Sequence, residues 1–321
     1  MKRLFTVMAA ALMAVTAIIA LMPVGTKSAN ASVAASKEKL TVGMECGYAP
    51  FNYTQTKNKN DAVKISNADG YANGYDVMIA KRIAEELNRE LVIVKYEFDA
   101  LIPAVTAGTL DFIIAGMSPT AERLESIDFS DAYYESQLVI VVRKDGKYAN
   151  AAKLSDFNGA KIVAQLGTFH DAALENQAAA NGIIRQTPLE TFPAMINALN
   201  TKAIDGYVAE EPGAVSDCST NSDFTYIHLV NNDTGFTASA GDVQIAVGLK
   251  KGSELTAQVN AALAKISEAD RLAMMSKATD YATQAEEGGC SGSIGSQIPA
   301  VVIVSLLAAG AAVVIRKREE K

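Results

Sequence analysis

Leu110-Asp111-Phe112-Ile113-Ile114-Ala115-Gly116-Met117-Ser118-Pro119-Thr120-Ala121-Glu122-Arg123 turns a strand into a helix within one short stretch. The apolar run Leu110–Ala115 reads as a strand. Ser118 followed by Pro119 reads as an N-cap and first helical turn. A helix start offers free backbone N–H groups and a partial positive charge, which suits an anion. Arg123 follows about a turn later, and its planar fork can hold a carboxylate through two hydrogen bonds. A capped helix with a solvated arginine explains the same residues, so the junction gains meaning only from its surroundings.

On both sides of this stretch, strand and helix signals alternate. Leu40–Met44 is a short apolar strand, and Asp76–Asn88 carries a helical stripe at Ile79, Ile83 and Leu87. Leu91–Phe98 is a strand, and Asp99–Thr106 is a short helix stopped by Gly108. Downstream, strands are expected at Gln137–Arg143, Ala160–Leu166, Asp205–Ala209, Phe224–Val230 and Val243–Leu249. Helices are expected at His170–Ala180, Glu190–Asn200, Glu254–Ile266 and Ala269–Ala282. Such alternation predicts an α/β fold with helices on both faces of its sheets. Ligands in these sheets bind beyond the carboxyl ends of strands, so chemistry is sought at strand-to-helix junctions.

Three more junctions qualify. In Gln165-Leu166-Gly167-Thr168-Phe169-His170-Asp171, Gly167 permits close backbone approach and Thr168 can cap a helix. In Asp205-Gly206-Tyr207-Val208-Ala209-Glu210-Glu211-Pro212, two carboxylates stand where a strand should end, and one could face an ammonium group. In Glu45-Cys46-Gly47-Tyr48-Ala49-Pro50-Phe51, Glu45 could face a cation, while the aromatics could serve packing alone. Simple caps and solvated acids account for each junction separately. Taken together, an arginine, helix starts and a carboxylate form the complement of a zwitterion.

Composition narrows the function. The 321 residues suffice for two lobes, with 49% apolar and 20% charged residues and a net charge of −7. An acidic chain without a basic stripe argues against nucleic acid as a partner. HExxH, P-loop and GxSxG patterns are absent, and there are two histidines. Cys46, Cys218 and Cys290 lack metal-ligand spacing, and three cysteines cannot all pair internally. Neither a metal nor a cofactor is therefore expected. Met1-Lys2-Arg3, the apolar run Leu4–Val24 and Ala29-Asn30-Ala31 read as a signal peptide over 1–31, with an uncleaved anchor as the alternative. Ile298–Ile315 is an apolar run long enough to span a bilayer, and Arg316-Lys317-Arg318 follow it. Positive-inside orientation makes 316–321 a cytoplasmic tail and places the body outside. The Gly/Ser-rich segment 285–297 reads as a flexible stalk.

The order of motifs resembles the periplasmic amino-acid-binding proteins of ABC importers, solute-binding family 3, of the lysine/arginine/ornithine-, histidine- and glutamine-binding type. The resemblance rests on Gly47-Tyr48-Ala49-Pro50-Phe51, Gly74-Tyr75-Asp76-Val77, Phe98-Asp99-Ala100-Leu101-Ile102-Pro103-Ala104, Ala115 to Arg123, Ile127-Asp128-Phe129-Ser130-Asp131-Ala132-Tyr133-Tyr134 and Gln165-Leu166-Gly167-Thr168. It covers about Lys39 to Tyr281. It implies a two-lobe periplasmic-binding-protein fold of type II, with two hinge strands and the ligand in the cleft. The first lobe would take 38–141 and the returning segment 231–284, and the second lobe 142–230. By position, Arg123 would clamp the ligand carboxylate, with Ser118 and the Thr168 N–H adding donors. The Gly116 carbonyl and Glu210 would meet the ammonium. Tyr48 and Phe98 would flank the ligand side chain, and Glu45 would lie near its tip. Phe169 and His170 depart from the usual pattern after the Gly-Thr pair. The segment Gln55–Tyr71 is longer and more polar than usual and reads as a surface excursion.

An acid beside two aromatics suits arginine or lysine, through cation–π attraction and charge pairing. Glutamine or histidine is the alternative, and Glu45 disfavours an anionic side chain. The implied partners are a permease and its ATPase, the membrane through the C-terminal helix, and no second copy of the chain. Two other classes compete. One is an exported dehydratase-like enzyme, for which Glu45, Glu210 or His170 would have to act as acid or base. The other is a ligand-sensing ectodomain working through a separate partner.

Overall fold

The computed structural model describes residues 37–287. The expected signal peptide (1–31), apolar span (298–315) and tail (316–321) lie outside the described residues. Among the described residues, no helix is long and apolar enough to cross a membrane.

The chain opens with β1 (Lys39–Met44), which buries Leu40, Val42 and Met44 on alternate positions. Four short strands follow: β2 (Gly47–Tyr48), β3 (Asn52–Gln55), β4 (Val63–Lys64) and β5 (Tyr71–Asn73). They pair as a small antiparallel sheet. The turn into helix α1 (Tyr75–Glu86) uses Gly74 at φ +125°, where an added Cβ would lie 2.3 Å from the Phe51 carbonyl oxygen. Only glycine fits there. The α1 stripe Ile79, Ala80, Ile83 and Ala84 is buried, as the 3.6-residue period requires. The carboxylate of Asp76 in its first turn holds Asn52 Nδ2 and the Tyr133 hydroxyl, each at 2.8 Å. Burial outweighs these hydrogen bonds and raises this carboxyl to about 6.

Next come β6 (Glu90–Lys95), a 3₁₀ turn at Phe98–Ala100, α2 (Leu101–Thr106), β7 (Phe112–Ile113), α3 (Ala121–Ser126), β8 (Ile127–Glu135) and β9 (Leu138–Arg143). The second half holds β10 (Lys161–Val163), α4 (Phe169–Ala178), β11 (Ile184–Arg185), α5 (Phe192–Asn200), β12 (Gly206–Glu210), α6 (Glu211–Thr220) and β13 (Phe224–Ile227). The chain closes with α7 (Ala240–Val243), β14 (Gln244–Lys250), α8 (Leu255–Leu263) and α9 (Glu268–Glu287).

Two five-stranded sheets result, ordered β6-β1-β7-β14-β8 and β11-β10-β12-β9-β13. Each mixes parallel pairs, joined through helices, with antiparallel partners. This is a mixed α/β, two-lobe arrangement. Only Ser136 and Gln137 separate β8 of the first sheet from β9 of the second. Because all of β9 pairs with β12 and β13, the second sheet begins at Leu138, ahead of the expected boundary at 142.

Four expectations need correction. The strand at Leu110–Ala115 narrows to Phe112–Ile113, the residues in register with β1 and β14, although Asp111 N and Ile114 N also donate to the Thr41 and Gly43 carbonyls of β1. Helix α3 begins two residues later than Ser118-Pro119 suggests: Thr120 is the N-cap, its Oγ1 accepting from Arg123 N at 3.3 Å. The Met117 carbonyl accepts from Ala246 N at 3.0 Å, which ties the chain alongside β14 and keeps it extended past Ser118. Gln55–Tyr71 is not purely superficial. Within it, β4 pairs with β5, and Ile65 is 1% exposed and bridges to Ile93. At the far end, α9 runs through the first residues of the expected stalk.

Candidate functional site

One cleft between the sheets is lined by Tyr48, Phe98, Ala115, Gly116, Ser118, Arg123, Gln165, Thr168, Phe169, His170 and Glu210. Seven of the eight expected site residues are among them. The eighth, Glu45, stands behind Gln165: its Oε1 accepts from Gln165 Nε2 at 2.8 Å.

Each lobe contributes through strand ends. Gly116 and Ser118 follow β7, and Thr120 starts α3 so that Arg123 falls in its first turn. The Arg123 guanidinium lies over the Phe98 ring, 5.2 Å from its centroid. Its Nη1 donates to the Ser118 carbonyl at 2.9 Å and its Nη2 to the Gly167 carbonyl of the second lobe at 3.0 Å. Burial lowers its pKa to about 10, which still leaves it charged at neutral pH.

The second-lobe wall follows β10. Thr168 caps α4, its Oγ1 accepting from Asp171 N at 3.3 Å and donating to the Gln165 carbonyl at 2.7 Å. Gly167 has φ +72°, and an added Cβ would lie 3.3 Å from the Asp99 Cβ of the first lobe. The lobes meet closely here.

Glu210 ends β12 and is 6% exposed. Its Oε1 lies 2.9 Å from His170 Nε2, and its Oε2 accepts from the Tyr48 hydroxyl across the cleft. Burial pushes the Glu210 carboxyl up to about 8. Burial, helped by the nearby charge of Arg123, pushes His170 down to about 3. At pH 7 the imidazole is neutral and the carboxyl mostly so, so their contact is not an ion pair. Glu211, the other acid of this junction, turns away and pairs with His228 Nδ1 at 3.2 Å.

The aromatics are engaged by protein. Tyr48 stacks on Phe192 of the second lobe at 4.1 Å and 15°, and on Phe51 at 5.0 Å and 23°. Phe192 was not a candidate from the sequence; nothing in local spacing links it to Tyr48. Gln165 and His170 were in view without a role in binding. The signal for Gln165 was a polar side chain closing an otherwise apolar strand.

Chemically, the cleft sets a charged guanidinium and helix starts near a buried carboxyl, with aromatic walls between. Among the described residues, no group of His, Cys, Asp and Glu could hold a metal ion. Cys46 and Cys218 are free thiols that burial raises to about 12, which makes them unreactive at neutral pH.

The chain is 26% identical over 250 residues to an arginine-binding extracellular protein of Bacillus subtilis, covering 78% of this chain and 89% of that one. Among solved structures, it resembles an amino acid ABC transporter substrate-binding protein of Streptococcus pneumoniae bound to L-arginine. The TM-score is 0.66 at 27% identity, over 75% of this chain and 94% of that one. An ancestral arginine-binding protein bound to glutamine gives 0.61 at 26%, over 75% and 97%. Residues 40–278 match the model of the bacterial extracellular solute-binding proteins, family 3. The chain therefore belongs to that family, one of binding receptors rather than enzymes.

Proposed function

We propose that this protein is the extracytoplasmic receptor of an amino-acid ABC importer and takes arginine or lysine by cleft closure. The observation that carries the reading is the placement of Arg123 and Glu210 in one cleft, on opposite lobes. A zwitterion between them would present its carboxylate to the Arg123 fork, Ser118 and the Thr168 N–H. Its ammonium would meet the Gly116 carbonyl and Glu210. Groups from both lobes are needed, so the ligand favours the closed form by differential contact.

The side chain would run between Tyr48 and Phe98 toward Gln165 and, behind it, Glu45. A buried acid at that end favours a cation. The cationic preference agrees with the ligands named for the relatives in Bacillus and Streptococcus. Glutamine is the second reading, because a similar fold is known bound to it. Export through the 1–31 signal, tethering through 298–315 and delivery to a permease and its ATPase complete the account, with the receptor acting as a monomer.

A thermal-unfolding screen against the twenty amino acids tests this reading. A ligand at a hundredfold excess over its dissociation constant adds about 2.7 kcal/mol of stability. Arginine or lysine should raise the midpoint most. If no amino acid moves it, the reading is wrong.

A further inference from the structure

Two protein rings already stack on Tyr48. Phe51 of the same lobe lies 5.0 Å away at 23°, and Phe192 of the second lobe lies 4.1 Å away at 15°. At 3% exposure the Tyr48 ring offers no free face. The two neighbours are held differently. Phe51 is core: it is fully buried and meets Tyr75 and Tyr134 edge-on within its own lobe. Phe192 opens α5, and its other ring neighbours, His170 and Tyr207, belong to the second lobe. When the lobes part, Phe51 stays with Tyr48 and Phe192 leaves it.

The polar groups of the cleft pair across the same seam. Arg123 Nη2 donates to the Gly167 carbonyl at 3.0 Å, the Tyr48 hydroxyl donates to Glu210 Oε2, and Gln165 Nε2 donates to Glu45 Oε1 at 2.8 Å. The cavity enclosed among the cleft residues measures about 10 Å³, near the least that holds one water. An amino acid enters this arrangement only if the lobes move apart.

Resting on the amino-acid-receptor reading, we propose that Phe192 is an intramolecular competitor of the ligand: stacked on Tyr48 it seals the cleft, and an amino acid binds by taking its place on that ring. The ligand then gains only the excess of its own contacts over those it displaces, an aromatic stack among them. Affinity is thus set partly by a contact that the ligand never makes. Every amino acid whose side chain uses Tyr48 is weakened by it alike.

The test is calorimetric titration of the full chain with arginine, comparing the parent with Phe192→Leu. Leucine keeps an apolar side chain at the start of α5 and cannot stack. The variant should bind arginine about two- to tenfold more tightly than the parent. A residue that touched the ligand, or that only packed the lobe, would give weaker or equal binding, and either result from a folded Phe192→Leu overturns the proposal. Kinetics of the unaltered chain give a second test that needs no variant. Opening must precede binding, so the association rate in stopped flow should level off as amino acid is raised, at one ceiling for any two amino acids that bind. Tyrosine emission can report it, because the chain has no tryptophan. A rate that rises linearly throughout, or ceilings that differ, overturns the proposal. Failure of a folded parent to bind any amino acid defeats the receptor reading itself, an outcome distinct from binding without these signatures.

Discussion

Arg123 and Gly167 join the two lobes: the guanidinium Nη2 of one donates to the backbone carbonyl of the other at 3.0 Å. The same side chain holds the Ser118 carbonyl of its own lobe at 2.9 Å. A charged, buried fork at this meeting point ties ligand recognition to lobe closure. Removing it should weaken amino-acid binding at least about thirtyfold, as loss of a buried charged partner costs about 2–5 kcal/mol. Arg123→Lys should rescue little, because an ammonium cannot reproduce the two-pronged geometry. Titration of both variants checks this; a lysine variant with near-parent affinity would contradict it.

Gly167 is held at φ +72° against Asp99. Gly167→Ala should cost about 1 kcal/mol through backbone strain alone. It should lower ligand affinity further, since the new methyl presses on the opposite lobe. Denaturant midpoints and titrations separate the two effects.

Burial raises Glu210 to about 8 and Glu45 to about 7. A carboxyl whose folded pKa is raised binds more protons in the folded state than in the unfolded one. Its contribution is fully present below the unfolded value, near 4.5, and is lost as pH rises through 7 and 8. The chain should therefore show a lower urea midpoint at pH 9 than at pH 5. Glu210→Gln, which cannot ionise, should lose part of that drop. An equal drop in parent and variant would rule out Glu210 as a source.

The correction at Gln55–Tyr71 is also testable. Ile65 is 1% exposed and bridges to Ile93, so Ile65→Ala should destabilise the fold by about 2–4 kcal/mol. A superficial loop would show under 0.5 kcal/mol in the same urea titration.

The fold was largely legible because its strand and helix periods are local. The α1 stripe and the buried run of β9 carry their own signals. What stayed hidden depends on partners distant in sequence. Ser118-Pro119 is a good cap by local rules, yet Thr120 caps α3 because Ala246 draws the Met117 carbonyl to β14. Local spacing left Tyr48 between packing and, by resemblance, flanking a ligand side chain; it could not show that the ring stacks on Phe192 and the hydroxyl serves Glu210. Glu45 looked like a direct contact for a cation, and Gln165 stands in front of it. Spacing along the chain names which residues are available; it does not say which of them spend their hydrogen bonds on one another.

The central claim is that this cleft holds a free amino acid between Arg123 and Glu210. Calorimetric titration of the full chain with arginine tests it most directly, with Arg123→Ala measured alongside. The account predicts saturable one-to-one binding in the parent and its loss in a variant that remains folded. Absence of binding by arginine and every other amino acid to a folded parent chain, or undiminished binding by Arg123→Ala, would contradict it.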